Sequence, residues 1–523
     1  MVNRPQPITL MGSAALLIVA LLLLGPLLAL LWRAEFTSGI SPSDWVAIRF
    51  TIFQATLSAL ISVALAIPVA RALARRKFRG RALIITLLGA PFLLPSIVAV
   101  LGLLAIWGRA GIISKTLMSV GVERLDIYGL TGILLAHVFF NLPLATRMIL
   151  QGWGSIPSEH FRLAAQLGFR PADTIRHLEI PMLRGILPTA FLLVFLLCLT
   201  SFAVALALGG GPKATTIELA IYQALRFDFD LSKAAVLGLI QFALCASLAV
   251  ISLRLSVQAQ FGGSLNRNIE RWDATSKWLR AQDIIVLGIT VIFVSTPLIA
   301  IVLRGLPAIS EIPASVWPAA RNSLIVALCS AALALLLAII LALFIDMLKA
   351  RRSKLASLSE VLGLITLSAS PFVLGTGLFI IINPFFSPFA LALPITALVN
   401  AAISLPLALR SILPALEQNR RSYGQLAASL DMRGLSHFRY VIWPAIRGPA
   451  GFATGLAAAL SMGDLGVITL FAPPNVETLP LVMYRLMGTY RLDQAASVAL
   501  ILVVLTLTLF WIFDRGGRLG RHS

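Results

Sequence analysis

Twelve apolar runs of about 20 residues each, joined by short polar connections, limit this chain more than any other feature. A bilayer core about 30 Å thick takes roughly 20 residues of helix to cross, and inside it each backbone N–H and C=O has to be paired within its own segment. The runs therefore predict an all-α membrane protein with twelve transmembrane helices. The first six cover 8–32, 50–70, 82–107, 129–150, 186–208 and 234–253. The second six cover 283–303, 322–346, 358–382, 390–413, 449–471 and 494–513. Several contain proline (Pro68, Pro91, Pro95, Pro143, Pro371, Pro406), which membrane helices tolerate where neighbours satisfy the freed carbonyls. The stretch from Ile8 to Leu31 exceeds a signal-peptide core and lacks a small-residue cleavage site, so it reads as a retained first span.

Charge adds the orientation. Only 12% of the 523 residues are charged, about half the soluble norm of roughly 25%, yet the formal net charge is +20. The bases do not gather in a soluble nucleic-acid-binding domain. They follow the connections: Arg71, Arg75, Arg76, Lys77, Arg79 and Arg81 after the second run, then Lys349, Arg351, Arg352 and Lys354 after the eighth. The alternate connection 383–389 has no charge. By the positive-inside rule both termini and the even-to-odd connections face the cytoplasm. The three cysteines lie in apolar runs and the five histidines are scattered, so neither a disulfide framework nor a metal site is expected. No nucleophile–base pair or nucleotide motif is present, so no catalytic residue is assigned and the chain is not expected to be an enzyme. Gly209-Gly210-Gly211-Pro212-Lys213 lacks phosphate-loop spacing and reads as a turn before an amphipathic segment, 215–226.

The two halves repeat each other. At an offset of 263, Leu142-Pro143-Leu144-Ala145 and Arg147 fall on Leu405-Pro406-Leu407-Ala408 and Arg410. The same offset carries Leu163-Ala164-Ala165 onto Leu426-Ala427-Ala428, and Pro181-x-x-Arg184-Gly185 onto Pro444-x-x-Arg447-Gly448. Tyr222 matches Tyr484 with a one-residue slip. Six runs per half make the repeat parallel. The expected domains are 1–253 and 283–523, joined by a cytoplasmic linker, 254–282.

The best-matched segments are the connections 151–185 and 414–448, which is unusual for loops. Ser158 is a candidate N-cap with Glu159 in the first turn, and Gly168 suits a left-handed stop. Pro171 suits the start of a second short helix, expected to end before Pro181. The second copy opens on Ser422-Tyr423-Gly424-Gln425, a capping-box pattern. Each loop is thus predicted to be a helix–turn–helix, with a narrow apolar ridge of alanines between Leu163 and Leu167 in the first.

These loops resemble the EAA loop of ABC-importer permeases, the binding-protein-dependent inner-membrane components. Gly168 and Pro181 keep that motif's separation, with Leu178 and Ile180 at its aliphatic positions. Arg162 and Gln425 replace its glutamate, Leu163 and Leu426 its first alanine, and Asp431 its second glycine. The longer strings 132–143, 208–223 and 463–467 resemble the fused permeases of bacterial thiamine and thiamine-pyrophosphate importers more than fused ferric-iron permeases. The resemblance implies two tandem six-helix type I permease domains in a bacterial inner membrane, with substrate moved inward by alternating access. It implies a separate cytoplasmic ATPase dimer holding ATP and magnesium, a periplasmic substrate-binding protein, and no cofactor or nucleic acid on this chain. It also implies that Ala164, Ala165, Gly168, Pro181, Ala427, Ala428, Asp431 and Pro444 couple the membrane part to the ATPase.

For the substrate path, Asp464 is the informative charge, about 15 residues into its run. An acid inside a span is costly and usually faces an interior cavity. Its repeat partner is the neutral Ser201. One reading has Asp464 favour a cationic substrate such as a thiazolium; the other has it hydrogen-bond backbone. His137 and Asn141, four apart on one helical face, either line the path or join helices. The alternatives are a fused permease for ferric iron or another small solute, and an ion-coupled secondary transporter. The latter would need carboxylates deep in several spans, where only Asp464 qualifies.

Overall fold

The computed structural model describes residues 7–35, 40–255, 276–365, 369–432, 434–473 and 475–518, all helix, turn or irregular with no strand among them. The chain opens with α1 (Pro7–Arg33) and the 34-residue α2 (Pro42–Arg75). A capping box starts α2: Asp44 N–H donates to Ser41 Oγ at 3.2 Å and Ser41 N–H to Asp44 Oδ2 at 3.3 Å. Where one span was expected over 82–107 there are three pieces, α3 (Arg81–Leu87), α4 (Ala90–Leu93) and α5 (Ser96–Trp107). Pro95 has no N–H to give and pushes Leu94 to an extended ψ of 134°, which ends α4. Next come α6 (Ile112–Ser119), α7 (Leu130–Ser155), α8 (Ser158–Gln166), α9 (Pro171–Thr174), α10 (Ile180–Leu199), α11 (Phe202–Leu208), α12 (Ile217–Gln223) and α13 (Leu231–Leu255).

The later part begins with α14 (Lys277–Gly305) and the 35-residue α15 (Val316–Ala350). Most of the expected linker, residues 256–275, lies outside the described residues, and its last six residues already belong to α14. The expected ninth span is split into α16 (Leu355–Ile365) and α17 (Pro371–Ile382). The 38-residue α18 (Ala392–Ser429) then runs straight through Pro406 and Pro414. After it come α19 (Gly434–His437), α20 (Trp443–Met462), α21 (Gly466–Phe471), α22 (Leu479–Gly488) and α23 (Leu492–Arg518). Among the described residues ten helices are long and apolar enough to cross a membrane, with shorter apolar segments at Arg81–Leu93 and Pro371–Ile382.

The helices pack into two compact units that interleave the sequence. One takes the described residues of Met1–Ile40, Ala220–Ala246 and Ala308–Ser523. Inside it α1 lies on α15 and α17, with Ala15 and Val19 entering a core of Leu341, Ile345, Leu405, Leu409, Ile412 and Ile446. Gly377 lets α17 approach so closely that a Cβ there would stand 2.5 Å from Cα, Cβ and O of Pro26. α20 and α23 meet at Gly451 and Gly455, where added Cβ atoms would lie 2.5 Å from Phe513 O and 2.9 Å from Phe510 O. That is the small-residue approach by which membrane helices gain packing in a solvent as apolar as themselves.

The second unit takes Ser41–Leu219 and the described residues of Ser247–Pro307. Here α2 is the hub, packed on α7, α10 and α14. α5 meets α14 at Gly102, where a Cβ would lie 2.7 Å from Pro297 O.

Candidate functional site

The two repeat-related loops share their turn to the hydrogen bond. In the first, Gly168 N–H donates to Ala165 O at 3.1 Å and Phe169 N–H to Ala164 O at 3.0 Å. In the second, Asp431 N–H donates to Ala428 O at 3.1 Å and Met432 N–H to Ala427 O at 3.0 Å. Both turn residues are left-handed, with φ of 69° at Gly168 and 50° at Asp431. An aspartate thus takes the glycine's conformation, at a cost of roughly 1–2 kcal/mol for its Cβ. Each alanine pair divides the same way: Ala164 and Ala427 are buried, while Ala165 and Ala428 face outward. Leu163, Leu167, Leu426 and Leu430 are all more than half exposed, so each turn presents two outward leucines four residues apart.

Outside the turn the loops depart from the helix–turn–helix expectation. Ser158 is the first residue of α8, not its N-cap; Pro157 holds the cap position, and Ser158 Oγ donates to Glu159 Oε1 at 3.0 Å. Ser422 caps nothing, because α18 passes through it unbroken. The second short helix does not stop before Pro181. A π turn, Ile175–Glu179, leads straight into α10, and Ile180 N–H reaches back five residues to Ile175 O. The same π turn, Phe438–Ile442, leads into α20 before Pro444. Proline has no N–H and crowds the carbonyl four residues back, and the wider i→i+5 turn relieves both. Pro181 and Pro444 therefore sit near the start of long rods.

The loops are also tied down differently. In the first, Glu179, 2% exposed, pairs with Arg71 of α2 at 2.8 Å. Ile442 stands at the equivalent place in the second loop. There α18 itself is anchored to α15, Arg420 to Asp346 at 2.8 Å and Glu417 to Lys349 at 2.8 Å. Arg71 read only as one of the bases that set orientation, and Glu179 fills the variable place between Leu178 and Ile180, so neither was singled out.

The second set of candidates sits where helices break. α10 ends at Leu199 and α11 starts at Phe202, with Ser201 between them. α20 ends at Met462 and α21 starts at Gly466, with Asp464 between them, so the two breaks are repeat-related. Both break residues are partly accessible. Asp464 Oδ1 accepts from the N–H groups of Gly466 and Val467 at 3.1 and 3.3 Å, while Oδ2 has no hydrogen bond among the described residues. Ser201 makes no such cap, so the break forms without one. Asn400, repeat partner of His137, lies beside the carboxylate and donates to Ser461 Oγ at 3.1 Å.

His137 and Asn141 are buried and bridge helices. Ser58 Oγ of α2 and His137 Nδ1 lie 2.9 Å apart, and Asn141 Nδ2 donates to Cys198 Sγ at 3.3 Å. Gln54 of α2 donates to Cys198 O at 3.1 Å. Ser58 and Gln54 escaped sequence reasoning because polar residues in a long apolar helix do not show their partners; the available signal was the run Thr51, Gln54, Ser58 and Ser62 at near-helical spacing. The repeat also fixes α12 and α22 alike. Ile217 N–H donates to Thr51 Oγ1, and Leu479 N–H to Ser323 Oγ, both at 2.9 Å. Among the described residues no group of histidine, cysteine and acidic side chains could hold a metal.

Paired left-handed turns beside long rods, and apolar helices broken beside polar groups, are parts suited to passing a solute between helices. Comparison with known proteins gives that arrangement a family. Residues 62–261 match the family described as binding-protein-dependent transport system inner membrane component. The chain is 40% identical to the thiamine transport system permease protein of Brucella abortus (strain 2308), over 96% of this chain and 94% of that protein. It is 37% identical to the Escherichia coli (strain K12) protein of the same description, over 98% of each. Identity to the Haemophilus influenzae protein of that description is 36%, over 92% of this chain and 89% of that one. Relatedness at that level along nearly the whole length, together with the multi-pass helical fold, places the chain among the ABC-importer permeases, the non-enzymatic inner-membrane subunits of binding-protein-dependent transport systems.

Proposed function

We propose that the chain is the membrane subunit of an ATP-driven importer that carries thiamine, or its pyrophosphate, from the periplasm to the cytoplasm. The observation that carries this reading is the near full-length relationship to thiamine transport permeases in three genera. In this reading 1–253 and 283–523 are the two permease halves, and both termini are cytoplasmic. The twin turns around Gly168 and Asp431 then face a separate ATPase dimer, where ATP and magnesium bind. Their outward leucines and Ala165 and Ala428 form the docking ridge; Ala164 and Ala427 hold it on the fold, and Pro181 and Pro444 join it to the rods. A periplasmic binding protein delivers substrate from the other side. Asp464, half-buried at the break in its helix, favours a cationic ring as the substrate passes, with Ser201 at the matching place in the other half. His137 and Asn141 set the helices that flank the path.

The test is uptake of labelled thiamine by cells or proteoliposomes with the chain, its ATPase and its binding protein, omitting each in turn. The proposal predicts that uptake requires all three and ATP. Undiminished uptake without any ATPase would overturn it in favour of a secondary transporter, and uptake of another solute in place of thiamine would overturn the substrate.

A further inference from the structure

The two loops reach the rest of the protein by different mechanical routes. The second loop is the end of α18, one unbroken helix of 38 residues, so its turn is rigidly part of that rod. The first loop has no such continuity on its leading side. α7 stops at Ser155, Ile156 is extended (ψ 122°), and Pro157 (ψ 141°) separates it from α8. A chain passing through two extended residues transmits little torque, so something else must hold this loop to the helices it is to move.

What holds it is at the far side of the turn. Glu179 ends the π turn that joins the loop to α10, and its carboxylate Oε2 lies 2.8 Å from Nε of Arg71 on α2. Both partners are largely out of water, Glu179 at 2% and Arg71 at 16% exposure. Burying a lone charge there would be costly, so the pair resists separation far more than a surface ion pair does. The same end of α2 carries the connection onward. Arg76 Nε lies 2.6 Å and Arg75 Nη2 3.4 Å from the carboxylate of Asp283 on α14, which is 3% exposed. Arg71 and Arg75 in the last turns of α2, with Arg76 at its C-cap, thus tie the loop on one side and α14 on the other. The second half lacks this device: Ile442 takes the place of Glu179.

Resting on the reading of the loops as the ATPase docking sites, we infer that Arg71 and Glu179 are the positioning pair that makes the first loop move as one body with α2. The ATPase stroke received at the first loop reaches α2 through this ion pair and α14 through Arg75, Arg76 and Asp283. At the second loop it travels along α18 directly.

The test uses the assembled transporter in proteoliposomes and reads substrate moved per ATP hydrolysed. Glu179→Gln is expected to lower that ratio at least fivefold while the assembled ATPase keeps turning over. The swap Arg71→Glu with Glu179→Arg is expected to restore at least half of the ratio. If the swap misfolds, a second variant decides. Arg71→Cys with Glu179→Cys, in a chain with Cys198, Cys245 and Cys329 replaced by serine, is treated with a short reversible bis-thiol cross-linker. Cross-linking should raise the ratio and reduction should lower it again in the same sample. A wild-type ratio in Glu179→Gln, or a cross-link without effect, overturns the inference. Failure of the unmodified chain to bind its ATPase would instead overturn the docking reading beneath it.

Discussion

Asp464 has two roles that mutation can separate, because the cap and the charge respond to different substitutions. Its Oδ1 accepts two N–H groups at the start of α21, at 3.1 and 3.3 Å. Asparagine keeps that oxygen and caps as well as aspartate, so Asp464→Asn should alter stability by no more than about 0.5 kcal/mol. Alanine removes the cap and should cost about 1 kcal/mol. The break itself does not depend on the cap, since the matching break at Ser201 forms without one. The charge is a separate quantity. A monovalent cation about 8 Å from a carboxylate, at an effective dielectric of about 20, is attracted by about 2 kcal/mol. That corresponds to roughly 30-fold in affinity. Asp464→Asn should therefore raise the KM for thiamine uptake some 30-fold in proteoliposomes while leaving the detergent melting midpoint in place. An analogue with a neutral ring in place of the thiazolium should lose nothing on the same substitution. If Asp464→Asn transports like wild type and only Asp464→Ala is impaired, the carboxylate is a cap and the charge role is refuted.

Three further outcomes are expected. Gly377→Ala places a Cβ 2.5 Å from three Pro26 atoms, two of them backbone, so α1 and α17 must part by about 1 Å at a cost of about 1–3 kcal/mol. Gly25→Ala, whose Cβ meets only Ile381 Cδ1 at 3.9 Å, should be neutral, and melting midpoints in detergent compare the two. Asp431→Gly relieves a left-handed aspartate and should raise stability by up to about 1 kcal/mol, whereas Gly168→Ala at φ 69° should lower it by about as much. Thr51→Val and Ser323→Ala each strip the acceptor from a buried N–H, of Ile217 and Leu479 respectively, and should each cost about 1–3 kcal/mol, visible as faster hydrogen exchange at those amides.

What could be read from the sequence follows from what is local. An apolar run reports its own solvent, so the long helices were visible, and a fixed offset reports duplication whatever the fold. The left-handed stop at Gly168 was legible because a turn is decided within five residues; that Asp431 takes the same conformation was not, since an aspartate accepts a left-handed turn less well than glycine. The breaks at Ser201 and Asp464 were hidden, since Thr200-Ser201 or Gly463-Asp464 would be tolerated in a continuous membrane helix. Pro181 misled for a similar reason: as a helix stop it outranks its neighbours, but a π turn absorbs it, and nothing in Ile175–Glu179 marks one. The uninterrupted α18 defeated a good capping signal at Ser422, because a cap residue inside a rod anchored by Glu417 and Arg420 has no helix end to serve. His137 and Asn141 looked alike as path or bridge until Ser58 and Cys198 were seen against them.

The paired π turns carry a historical record. A π turn is an α-helix with one residue too many, and removing one residue from Ile175–Glu179 would restore ordinary winding and swing everything before it about 100° around the axis of α10. Such an insertion is tolerated only when the phase it sets is already in use. The second π turn, Phe438–Ile442, stands at the same 263-residue offset as the rest of the repeat. Two separate insertions at one register are the less parsimonious history. One insertion ahead of a duplication accounts for both, and the angle between loop and rod is then a property the two halves hold in common.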